Sequence, residues 1–223
     1  MHEMTAIRQV EKLHHNLLKK YPGNFTIFDV LENQAQTLRK EHQRQNPAVC
    51  VQISNWHPRL VGATTDEILQ AAFTPEDARV TIAREHGFQN WKQVEARGAT
   101  QLDKSFEHAV DAVVSGEIDK LEVLLGESSY LARQISQYGH RATLLHYVAA
   151  NGVETWRQKV PPNAVEITRL LLEAGADVHA KAHVYGGQYD TMALLMSSAH
   201  PAEAGLTDRI AAVLKQAKND VGE

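Results

Sequence analysis

An all-α fold is predicted for this chain of 223 residues from three observations. Apolar residues recur at spacings of three and four, as in Ile7, Val10, Leu13, Leu17 and Leu18, which is the period of one helix face. Capping residues precede such runs and Gly or Pro follows them, so helices are both opened and closed. In the first half of the chain no strand-like alternation extends beyond a few residues. With 43% hydrophobic residues the chain can bury a sizeable core, as one large domain or two small ones.

The first helix is expected within Met1 to Lys20, ending at Pro22-Gly23-Asn24, residues that break helices or favour turns. A second follows from Thr26, where Asp29 three residues on makes a capping box and Phe28, Leu31, Ala35, Leu38 and His42 share a face. Asn46-Pro47 opens a short third helix, a cap followed by proline at the first helical position, which runs towards Trp56 and ends at His57-Pro58. Thr64-Thr65-Asp66 opens another of one or two turns, through Ala71. The clearest local signal spans Phe73 to Trp91: Thr74 caps, Pro75 occupies the first turn, Glu76 and Asp77 suit the positive helix end, and Gly87 supplies a left-handed stop. Phe88 and Trp91 then anchor a helix from Asn90 to Ala96. An N-terminal helical module over residues 1–100 precedes a different organisation over 101–223.

In the second part the stretch Thr143-Leu144-Leu145-His146 leads into small residues and Gly152, and Leu170-Leu171-Leu172-Glu173-Ala174-Gly175 follows. This resembles one ankyrin repeat, in which a tip opens a first helix through T-x-L-H and glycine ends the second. Gly116 and Gly152 lie 36 residues apart, against about 33 for that repeat. A third unit starts at Thr191, with its second helix from about Leu206 to Ala217, and both Thr143 and Thr191 follow a glycine by four residues, Gly139 and Gly187. Arg141 and Tyr189 stand where the family's tips carry glycine. Residues 153–163 form an insertion, expected as a loop on one face of the stack. Asp77, Ala78, Ile82, Ala83, Arg84, Glu85, Gly87, Phe88 and Trp91 resemble a helical region found ahead of bacterial ankyrin repeats, for which packing is the expected role. The resemblance implies about three degenerate repeats with the N-terminal helices packed on the stack, covering its apolar face. It implies no activity.

A net charge of -4 with scattered Lys and Arg lacks the basic stripe of a nucleic-acid or anionic-membrane binder. No segment reaches the roughly 20 apolar residues of a membrane span, and Met1 to Lys20 lacks the apolar core of a signal peptide. The single cysteine, Cys50, sits in an apolar run and suits a reducing compartment. A cytoplasmic protein is therefore expected. His179 and His183 have ligand-like spacing but fall in a tip loop with no Cys or carboxylate pair beside them, so no metal and no cofactor are expected. His146 is expected to bond neighbouring backbone. The expected binding surface gathers Tyr138, His140, Arg141, His183, Tyr185 and Tyr189 on adjacent tips, as aromatic and Arg anchors for a partner protein. Trp156 in the insertion is either an exposed anchor or a plug that folds back. The alternative is a small-molecule enzyme or binder using His140, Tyr185 and Asp190 for acid-base chemistry in a pocket between the tips and the insertion. No sequence motif of a named enzyme class is present.

Overall fold

The computed structural model of the protein describes residues 5–14 and 25–221. The expected contributions of Leu17 and Leu18, and the stop at Pro22-Gly23-Asn24, lie outside these residues. The chain is mostly helical and divides into two compact units, one of Thr5–Leu102 with Glu154–Trp156, the other of Asp103–Val153 with Arg157–Glu223. No helix among the described residues is long and apolar enough to cross a membrane.

The N-terminal unit contains α1 (Thr5–His14), α2 (Ile27–Gln43), a 3-10 turn at Pro47–Val49, α3 (Cys50–Trp56), α4 (Thr65–Gln70), α5 (Pro75–Glu85) and α6 (Trp91–Ala96). Its frame is the pair α2 and α5, with α3 and α6 also packed on α5. Ile27, Val30, Leu31, Ala35 and Leu38 line the buried side of α2, and Ala78, Ile82 and Ala83 that of α5. Capping chemistry places the helix starts: Thr26 with Asp29, Thr64 with Glu67 and Thr74 with Asp77 each form a complete capping box, which satisfies donors the first turn would otherwise leave open. Asp77 does more than cap, because His57 Nε2 and Arg59 Nη2 also bond its carboxylate at 3.1 and 2.6 Å. Burial alone would raise its pKa; the Thr74, His57 and Arg59 donors outweigh that and hold it well below the usual carboxylate range. Phe88 and Trp91 are buried, Trp91 between Phe28 and the Arg79 guanidinium that also clamps Glu32.

The C-terminal unit contains α7 (Lys104–Ser115), α8 (Ile118–Glu127), a 3-10 turn at Leu131–Arg133, α9 (Leu144–Tyr147), α10 (Ala164–Glu173), β1 (Ala182–Val184), β2 (Gly187–Tyr189), α11 (Thr191–Met196), α12 (Ala199–Glu203) and α13 (Thr207–Val221). α9 packs on α7, α10 and α11, while α10 and α11 both pack on α13. Leu121, Leu144, Leu145, Tyr147, Ile167, Leu171, Leu195, Ile210 and Leu214 form the centre of one continuous apolar core. Gly116 ends α7 at φ +78°, and a Cβ there would stand 2.7 Å from Asn163 Oδ1 and 2.8 Å from Pro161 Cβ, so both conformation and space require glycine.

Two features depart from expectation. The antiparallel pair β1–β2, with register Ala182↔Tyr189, His183↔Gln188 and Val184↔Gly187, was not anticipated. Thr143 caps α9 and Thr191 is the first residue of α11, behind its cap Asp190, so each threonine stands at a helix start as expected, offset by one position. The insertion is no surface loop: residues 153–161 are buried throughout.

Candidate functional site

The hairpin β1–β2 places the exposed aromatic groups of the C-terminal unit. Its two-residue turn is Tyr185-Gly186, both at positive φ (52° and 76°), the signature of a type I′ turn matched to the twist of the strands. Tyrosine is an unusual occupant of that conformation, and the strain is offset where the Tyr185 hydroxyl donates to Asn151 Oδ1 at 2.7 Å. Asn151 is itself fixed by donating to the Leu194 carbonyl and Ser197 Oγ, both at 3.0 Å. Burial pushes the Tyr185 pKa up, partly offset by the backbone of Gly152, although the residue as a whole is 59% exposed. Tyr189 is 37% exposed, its ring lying over Gly187.

The segments around His140 and His183 lie side by side, since the His183 N–H donates to the His140 carbonyl at 2.7 Å. They do not present every residue expected of them. His183, Tyr185 and Tyr189 are exposed and Arg141 is half-buried, at a left-handed φ of 53°. Tyr138 and His140 are buried side chains, at 2% and 0% exposure, and so are core rather than surface. The His140 Nδ1 accepts from the Ala142 N–H, and its ring stands between Tyr138 and Tyr147. Trp156, 8% exposed, belongs to the N-terminal unit as a plug, its indole against the rings of His14 and His86.

The acid-base alternative fares similarly. The Asp190 carboxylate accepts from the Ala193 N–H at 2.9 Å, from Lys218 at 3.0 Å and from Lys181 at 3.3 Å. Burial would raise its pKa, but these donors bring it down to about 2. It is a helix cap and counter-ion. His146 packs inside, its Nδ1 accepting from the Thr143 N–H at 3.1 Å; burial lowers its pKa to about 4, against a partial upward pull from the Tyr189 and Ala180 backbone. Among the described residues no three His, Cys, Asp or Glu side chains gather as a metal set. Cys50 is buried, and burial pushes its thiol up, the Thr65 hydrogen bond offsetting part of this.

Two buried polar clusters escape any reading of spacing. In the N-terminal unit Glu85 is enclosed: it accepts from the Thr155 N–H at 2.9 Å and from Gln52 Nε2 at 2.8 Å, while Gln52 Oε1 meets His14 Nε2 at 3.1 Å and Trp56 Nε1 donates to Thr155 Oγ1. Burial is the main cause of a Glu85 pKa near 7, with Thr155 and Gln52 holding it lower than burial alone would. In the C-terminal unit Arg157 reaches Glu107 at 2.6 Å and Asp111 at 2.8 Å, an i, i+4 acid pair on α7, beneath the face of Tyr147. Nothing in local sequence marks either cluster, because each joins residues more than 30 positions apart.

The chain matches no family model, and no characterised protein matches it significantly.

Proposed function

We propose that this chain is a partner-recognition protein whose C-terminal unit is a degenerate ankyrin stack of about three repeats, binding a partner protein at the hairpin end of the stack. The packing order supports the repeats: α9 meets α7, α10 and α11, and α10 and α11 meet α13, so successive helix pairs contact their neighbours. Of the two residues standing where the family's tips carry glycine, Arg141 takes the left-handed conformation, which adds support, while Tyr189 lies in β2 without it.

The observation that carries the recognition reading is Tyr185, a large aromatic residue that is 59% exposed at a two-residue turn and tied by its hydroxyl to Asn151. An amphipathic aromatic fixed before binding loses little side-chain entropy on association, which is why Tyr is enriched among anchor residues. The acid-base reading has no comparable support, since His140 is buried and Asp190 is spent on a cap and two lysines.

Tyr185→Asn tests the proposal cleanly. Asn-Gly is the preferred type I′ pair, so the variant keeps or improves the turn while removing the ring. Capture of a partner from cells that make the protein should fall by about tenfold or more, as for a hot spot, with no loss of melting temperature. Undiminished capture by the variant would overturn the assignment.

A further inference from the structure

From the geometry of the hairpin, and resting on the recognition reading above, we infer that the outer edge of β2 takes an extended, acidic segment of the partner as an added strand. In a two-residue hairpin the pair flanking the turn, Val184 and Gly187, exchanges the first ladder bonds, so the next pair, His183 and Gln188, turns its N–H and C=O groups outwards. On the β1 side that edge is already used, because the His183 N–H donates to the His140 carbonyl. On the β2 side the Gln188 N–H and C=O are met by no protein group among the described residues. Gln188 is exposed, as is His183 opposite it. The edge therefore offers one donor and one acceptor in the geometry that strand addition uses.

Charge selects the occupant. Asp190 directly follows β2 and gathers Lys181 and Lys218 at 3.3 and 3.0 Å, two ammonium groups against one carboxylate, with the lysine side chains 48% and 28% exposed. An antiparallel segment whose residue pairs with Gln188 carries the residue two positions earlier level with Asp190, beside that excess positive charge. An Asp or Glu there would complete the cluster, on a chain whose overall charge is -4 and which would otherwise repel acidic partners.

Selection of random dodecapeptides displayed on phage against the full-length protein provides the probe. Enriched peptides are expected to be acidic, to lose at least tenfold in affinity when N-methylated at alternate amides, and to slow hydrogen exchange at the Gln188 amide. Lys181→Glu should weaken the same peptides with the fold intact by circular dichroism. No enrichment, enrichment of uncharged or basic peptides, or binding indifferent to N-methylation and to Gln188 exchange each overturns strand addition. Partner capture that depends on Tyr185 but survives Gln188→Pro leaves recognition standing and removes the added strand; capture indifferent to both removes recognition itself.

Discussion

Leu171 shows what a single residue carries. It sits at 0% exposure in the core of the C-terminal unit, so Leu171→Ala removes buried methyls and leaves a cavity. A loss of about 2–5 kcal/mol in denaturant unfolding is expected, and a loss below about 1 kcal/mol would mean that the site collapses or faces elsewhere. That position was legible because a run of three leucines on a helix of period 3.6 must bury at least one of them. Caps were equally legible, as at Thr26, Thr64 and Thr74, since each depends on residues three apart. Tyr185 was not. Type I′ turns ordinarily advertise themselves with Asn or Gly at both centres, and here a tyrosine takes the first position because Asn151, 34 residues away, holds its hydroxyl.

Among elements, the insertion differs most from expectation. Its sequence, with two prolines and several polar residues, reads as a surface loop, yet Arg157 is 4% exposed and paired with two acids of α7. What decides its place is tertiary: a guanidinium can be buried where two carboxylates and an aromatic face meet its donors and its plane. Arg157→Ala would strand the buried Glu107 carboxylate, at a cost of about 3–5 kcal/mol in chemical denaturation. Arg157→Ala combined with Glu107→Ala should recover a substantial part of that loss. If the double variant is no more stable than the single one, the pair is not what holds the segment. The helices were legible from sequence and the hairpin was not, because β1 and β2 have three residues each, too few to show a period.

For the whole molecule, two buried groups impose opposite responses to pH. Glu85 has a folded pKa raised from 4.5 to about 7, so the stability it contributes is full below 4.5 and is lost as pH rises through about 7. His146 has a folded pKa lowered from 6.5 to about 4, so its contribution is full above 6.5 and is lost as pH falls through about 4. Each amounts to about 3 kcal/mol over its window. Between about pH 4.5 and 6.5 the two slopes cancel, and the summed stability from these groups is flat. Glu85→Gln should expose the hidden rise, about 1.4 kcal/mol per pH unit, and hydrogen exchange resolved by unit should show the N-terminal unit losing protection with rising pH while the C-terminal unit gains it. A flat profile in the variant would refute the His146 contribution. In that pH window folding makes Glu85 a proton acceptor and His146 a proton donor in equal measure. The chain as a whole then exchanges no net proton with its buffer through these two sites, and the heat of unfolding in a calorimeter should be the same in buffers of very different ionisation enthalpy.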